Sequence, residues 1–259
     1  MKYSKHDRQA IKCLSGQALN LFQVIESEEH GEFSGSSVSS LCRVLATTPQ
    51  FLAFSCLSGN GEKEELSQNL GILFTTRLRN RAEQFVKKLT TAGYHERLLV
   101  VIDDSEPRQV WSWQISQIDA TDWYRMVIED CDIPNCFDVQ LWTDILRKTN
   151  TLDSSISGEF SIVKDTDDIS LFRLSKHMRQ FPNKKLIGDI SVAAKARAKH
   201  YSHQGIELSR RIPNAILLQT ETPWNIKDQL YTSASIVTTG GEYTKLELPI
   251  IHPFPEERR

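Results

Sequence analysis

Phe51–Leu57, FLAFSCL, decides how the rest of the chain reads. It carries no charge and lies between Pro49 and the turn Ser58-Gly59-Asn60-Gly61. A short, continuous apolar run between such breakers suits a strand covered on both faces, as strands of parallel sheets are. Leu98–Ile102, LLVVI, repeats the pattern and stops at Asp103-Asp104. Between the two, Ile72, Leu73, Leu78, Ala82, Phe85, Val86 and Leu89 mark an amphipathic helix over 71–92, ended by Gly93. A further helix is expected over Thr121–Cys131, with an acidic first turn that suits the helix dipole. Phe137–Trp142, FDVQLW, alternates apolar and polar residues as a strand with one less-covered face would. Strand, helix, strand, helix, strand is the order of a parallel sheet wound by right-handed crossovers. The fold class expected is therefore α/β: a Rossmann-like parallel sheet flanked by helices, with a helical C-terminal part.

Outward from this core the reading is coarser. Ala10–Ile25 carries an apolar stripe at helical spacing, and a Gly/Ser-rich stretch, ESEEHGEFSGSSVSS, follows it as a flexible connection. Val38–Leu45 is a second short apolar segment. Thr149–Asp168 is polar and reads as a loop, while Ile169–Arg179 and Ile190–Arg211 read as helices. Pro213 blocks continuation of the latter, so Asn214–Thr220, NAILLQT, is a late strand. The proline-bearing tail Glu242–Arg259 is expected to be extended. Residues 1–48 form an N-terminal helical segment and linker, and residues 49–259 a single Rossmann-like domain with an extended tail.

The 259 residues hold 31 basic against 33 acidic side chains, a formal charge of −2, and 39% hydrophobic residues. That balance excludes a disordered chain and argues against a protein that coats DNA. Five cysteines, an odd number spread over this length, do not make a disulfide scaffold. No apolar run approaches the ~20 residues of a membrane span. The start, MKYSKHDRQAIKCLSGQ, has no secretory apolar region. A cytoplasmic location without membrane or DNA partners is expected; oligomeric state is left open.

In open parallel sheets, ligands bind beyond the carboxyl ends of the strands. Three places qualify: Ser55–Gly61, Asp103–Arg108 and Trp142–Asp144. Ser55 is a candidate nucleophile, and the loop after it offers backbone N–H groups to an anion or oxyanion. A serine beside a turn is the plainer alternative. No G-x-S-x-G surrounds it, so a hydrolase triad is not indicated. Asp103 stands where dinucleotide folds place a ribose-binding acid, yet no G-x-G-x-x-G precedes it, which argues against a nicotinamide cofactor. S-adenosylmethionine is less easily excluded, and a turn- or helix-capping Asp103 is as good a reading. Cys131 with Cys136 and His200 with His203 form neither C-x-x-C nor H-E-x-x-H, so no metal is expected. Basic residues gather at Arg77, Arg79, Arg81, Lys87 and Lys88, and again at Lys195, Arg197, Lys199, Arg210 and Arg211. Such faces suit an RNA backbone, but solvated helix surfaces look the same and are commoner.

On FLAFSCLSGN, with Ser55, Gly59 and Asn60, and on KHYSHQGIEL followed by AILLQTETPW, the chain resembles the cyclodipeptide synthases. These have a Rossmann-like fold similar to the catalytic domain of class I aminoacyl-tRNA synthetases. The likeness covers Phe51–Val110 and Lys199–Trp224. It implies a tRNA-dependent aminoacyl transferase that makes a cyclic dipeptide, a peptide natural product, through a seryl acyl-enzyme. Ser55 would be acylated, Tyr201 would orient the aminoacyl group, and Gln204 or Glu207 would hold its ammonium. The family has a glutamate four residues after its helix tyrosine, whereas Gly205 stands there here, and Gln219 takes the place of a second tyrosine. Gly59, Asn60, Asp103 and Gln219 would line the substrate side. Arg77, Arg81, Lys87, Lys88, Lys195 and Lys199 would grip tRNA. No cofactor is implied. The alternatives are another Rossmann-like transferase, dependent on S-adenosylmethionine or a nucleotide, and a non-catalytic RNA- or protein-binding module.

Overall fold

A computed structural model describes residues 3–28, 38–55, 79–106, 117–147, 168–179, 186, 188–218, 235–237, 243–245 and 249–251. In chain order the elements are α1 (Lys5–Lys12), α2 (Gly16–Glu28), α3 (Val38–Leu45), β1 (Gln50–Ser55), α4 (Arg79–Thr91), β2 (Leu98–Ile102), α5 (Gln117–Glu129), β3 (Phe137–Leu141) and α6 (Trp142–Arg147). Then come α7 (Asp168–Met178), α8 (Ile190–Arg211), β4 (Ala215–Leu218), β5 (Ser235–Val237), β6 (Tyr243–Lys245) and β7 (Ile250–Ile251).

Five strands form one parallel sheet in the order β3-β2-β1-β4-β7, and β5 pairs antiparallel with β6. The Rossmann-like α/β class expected from the sequence is the fold found. Ser55 pairs with Ile102, Ala53 with Leu218, and Val100 with Val139. Every residue of β2 is buried, as a central strand of LLVVI requires. β3 lies at the sheet edge and leaves Asp138 exposed, matching its alternation.

From β1 the chain steps outward to β2 and β3, then returns to place β4 on the other side of β1. This reversal makes the gap between β1 and β4 the topological switch point, where such folds bind ligands at the carboxyl ends. The right-handed rule for such crossovers assigns α4 and α5 to one face of the sheet and the return through α8 to the other.

Local signals explain the helix ends. α4 closes with Gly93 at φ +99°, where Tyr94 N donates to Leu89 O at 2.9 Å and Gly93 N to Thr90 O at 3.0 Å. Those two bonds satisfy orphan carbonyls in a Schellman motif, and a residue with a side chain resists that φ. Tyr94 then stacks edge-on against Phe51, 4.9 Å between centroids, which ties the end of α4 to β1. Asp189 caps α8, its carboxylate accepting from Ser191 N and Val192 N.

One expectation is corrected at the N-terminus. The stripe over Ala10–Ile25 belongs to two helices, because the chain breaks after Lys12 and restarts at Gly16, whose φ is +54°. α1 is capped by a reciprocal Ser4–Asp7 box and buries none of its side chains. Leu21, Phe22 and Ile25 of α2 and Leu41 and Leu45 of α3 join one apolar core with Phe51, Phe85, Val100 and Trp142. At the other end of the chain, Ile250 and Ile251 extend the sheet beside β4. Among the described residues no helix is long and apolar enough to cross a membrane.

Candidate functional site

Where β2 ends, four consecutive polar side chains, Asp103, Asp104, Ser105 and Glu106, are all buried. Burying carboxylates is unfavourable unless each finds donors or a counter-charge. Each does. The partners come largely from α8, whose Arg197, His200, Tyr201 and Gln204 recur at i, i+3, i+4 and i+7 and so form one stripe. All four are buried.

Asp103 Oδ2 lies 2.6 Å from His200 Nε2 and accepts from Gln204 Nε2 at 2.5 Å. Its Oδ1 accepts from Ser105 N at 3.0 Å, Ser105 Oγ at 2.8 Å and Glu106 N at 3.1 Å. Burial alone would raise this carboxyl, but the His200 imidazolium and the donated hydrogen bonds outweigh it and hold it at about 2. Burial likewise pushes the His200 imidazole down, and the charge and hydrogen bond of Asp103, with the charge of Glu106, raise it above its ordinary value. Both shifts favour a carboxylate–imidazolium pair, in which His200 Nε2–H donates to Asp103 Oδ2. Gln204 Nε2 approaches His200 Nε2 at 2.9 Å because both serve the same carboxylate oxygen.

One turn earlier on α8, Arg197 Nε sits 2.9 Å from Glu106 Oε1 and donates to the Tyr201 hydroxyl at 2.8 Å. That hydroxyl faces Glu106 Oε1 at 3.5 Å, and the guanidinium lies 5.3 Å from the centre of the Tyr201 ring. Two ion pairs thus fasten α8 to the end of β2. Polar contacts of this kind fix rotation and register in a way that apolar contact alone does not.

Asp104 is directed elsewhere, as successive strand residues are. It accepts from Thr121 Oγ1 at 2.7 Å and from Thr143 N at 3.0 Å, and it also bonds the Thr143 hydroxyl. Burial raises its carboxyl, and these donors oppose the rise. α5 and α6 are thereby joined to the same strand end. α6 is also held at its other end, where Arg211 Nη1 donates to Leu146 O at 2.9 Å while Arg211 Nε pairs with Glu207 at 2.7 Å.

The sequence-derived residues fall in different places. Ser55 is the last residue of β1, at the switch point and level with Ile102. Asp103, Tyr201 and Gln204 come together in the network described above. Glu207 is buried against Arg210 and Arg211 instead. Lys195 and Lys199 are exposed on α8. On α4, Lys87 is exposed and Lys88 pairs with Glu28. Arg81 lies within α4. Gly59, Asn60, Arg77 and Gln219 are outside the described residues. Glu106, Arg197 and His200 were not among the residues singled out for the site, although the polar i, i+3, i+4, i+7 stripe of α8 marks two of them.

Chemically, Asp103 receives five donors, which saturates the roughly four lone-pair positions of a carboxylate. A ribose hydroxyl would have to displace one of them, so the nucleotide-type role for Asp103 gains nothing from this geometry. No group of three or more His, Cys, Asp or Glu side chains among the described residues is arranged to hold a metal ion. A cleft of about 450 Å³ lined by Val86, Lys87, Thr90, Pro134 and Asn135 opens beside the segments that lead into β2 and β3, the opposite end of the sheet from Ser55. Compared with known proteins, the chain matches no protein family, no curated protein and no solved structure.

Proposed function

We propose that the protein is a Rossmann-like acyl transferase that takes an aminoacyl group from tRNA onto Ser55 and releases a cyclic dipeptide. The observation that carries this reading is the switch point between β1 and β4, with Ser55 as the final residue of β1. In the reaction, the serine oxygen bonds to the aminoacyl carbonyl carbon. The tRNA ribose oxygen leaves and takes up the serine proton. The amine of a second aminoacyl-tRNA then displaces the serine, and ring closure by the remaining amine expels the second tRNA. Both donors are esters already activated for transfer, so the protein needs to supply position and oxyanion stabilisation.

The ion pairs that seat α8 hold Tyr201 and Gln204 buried against the end of β2, so in this reading they brace the site from within and do not touch the aminoacyl group. Incubation with radiolabelled aminoacyl-tRNAs, followed by denaturing electrophoresis, tests the reading. Wild-type protein should carry a hydroxylamine-labile label that Ser55→Ala lacks, and cells expressing wild type should release new cyclic dipeptides. Undiminished product from Ser55→Ala refutes the acyl-enzyme.

A further inference from the structure

We infer that the outer edge of β3 is the interface of a symmetric dimer, in which β3 pairs antiparallel with β3 of a second copy about Val139 and joins the two sheets. β3 and β7 are the edges of the parallel sheet, and β3, with five residues against two, is the longer. The ladder to β2 fixes which of its backbone groups face outward. Leu98 N donates to Cys136 O at 3.0 Å, and Leu98 stands opposite Phe137. Successive residues of a strand turn their N–H and C=O to opposite sides, so Asp138 and Gln140 bond β2 while Phe137, Val139 and Leu141 face away from it. Two of the outward groups are used within the chain. Phe137 N donates to Pro134 O at 3.0 Å, and Leu141 C=O stands at the start of α6, where a carbonyl takes the first helical bond. Val139 N–H and C=O have no hydrogen-bond partner among the described residues.

A second copy matches this edge. With Val139 opposite Val139 of the second copy, each N–H meets the other's C=O. Phe137 C=O then accepts from Leu141 N–H of the second copy, and the reverse. Phe137 N–H and Leu141 C=O, already engaged within each chain, fall at the two ends of the ladder. The side chains repeat the symmetry, because FDVQL reads apolar, polar, apolar, polar, apolar from either end. Asp138 comes to lie opposite Gln140 of the second copy, a carboxylate against an amide, and the same two groups already bond within one strand at 2.9 Å. Like charges, which destabilise when directly opposite, are thereby kept apart. Val139, half-buried in one chain, gains cover from its counterpart. α6 follows β3 directly and is drawn back toward β2 and α8 by Thr143 on Asp104 and by Arg211 on Leu146 O. β2 separates β3 from β1, so the interface stands whatever the role of Ser55. One short ladder is small for an interface, and the association is expected to be weak.

Small-angle X-ray scattering over a concentration series should give a mass that rises from 29.6 kDa toward twice that value. Val139→Pro removes the central outward N–H without touching the ladder to β2, a place where edge strands accept proline. It should stay monomeric with unchanged circular dichroism. Gln140→Glu sets carboxylate against carboxylate twice per dimer and should weaken association roughly 2- to 30-fold, while Gln140→Lys should tighten it by a similar factor. Crosslinking with oxidised glutathione reads the register. Asp138→Cys mixed with Gln140→Cys should give a disulfide-linked dimer above the level of wild type, and neither variant should do so alone. A mass fixed at 29.6 kDa up to about 1 mM overturns the proposal. So does a Val139→Pro dimer as tight as wild type, or a crosslink formed equally by one variant alone. Should Val139→Pro not fold, the mixed crosslink decides.

Discussion

Replacing Asp103 with asparagine removes one charge and almost no volume, so its effect isolates the bracket between β2 and α8. Donors approach both oxygens of Asp103, three on Oδ1 and two on Oδ2. An asparagine amide must therefore point its NH₂ at donors whichever way it is turned. The wild-type carboxyl lies near 2 against an ordinary 3.8, and a difference of this size contributes about 2 kcal/mol at neutral pH. Leaving His200 buried without its partner adds to the loss, and single truncations of buried pairs cost about 3–5 kcal/mol. We expect Asp103→Asn to lose about 3 kcal/mol, a large part of the ~5–15 kcal/mol that holds a domain folded. Urea unfolding followed by circular dichroism across a pH series measures it. The stabilisation from a depressed carboxyl is complete above the ordinary value of 3.8 and is lost as pH falls toward about 2. His200 acts in the opposite sense. Its raised value stabilises fully below the ordinary 6.5 and ceases to do so as pH climbs through that raised value. The pair therefore stabilises most between those limits, and Asp103→Asn should flatten both arms. Should the variant not fold, His200→Gln is expected to remove the alkaline arm. A loss below about 1 kcal/mol, with the wild-type pH curve retained, would refute the ion pair.

Two other substitutions probe how the helices are seated. Gly93→Ala forces a side chain into φ +99° and sets its Cβ 3.3 Å from Gln17 Cγ. We expect a loss of about 1–2 kcal/mol in thermal unfolding, and a neutral result would contradict the positive φ. Arg211→Lys keeps the charge but cannot bond Glu207 and the α6 carbonyls through one planar fork. A loss of about 1–3 kcal/mol is expected, and a lysine variant as stable as wild type would show the fork to be dispensable.

The sheet was legible because its strands are written in hydrocarbon. LLVVI has one reading, and the structure begins and ends β2 where the sequence does. Gly93 and Pro213 likewise mark the ends of α4 and α8 through backbone constraints that act locally. The bracket was less legible. Arg197 lies between Lys195 and Lys199 and reads as part of one basic face. Yet a step of two residues turns a helix by about 200°, which places Arg197 opposite both lysines. The inward position was therefore open to inference; its partner was not. Glu106 is 91 residues away, and nothing local in either segment says that they meet. The break between α1 and α2 was missed for another reason: the apolar period continues across it, while Ser15-Gly16 interrupts only the backbone.

The end of β2 depends on a helix translated much later. Asp103 waits 97 positions for His200, and Ile145 waits 66 for Arg211. During synthesis the first three strands can associate while the carboxylates of Asp103 and Glu106 still sit in water. Only docking of α8 removes that water and neutralises them. Until α8 has been made, the carboxylates at the end of β2 lack the partners that neutralise them, which makes this the contact of long sequence separation on which completion of this end of the sheet depends.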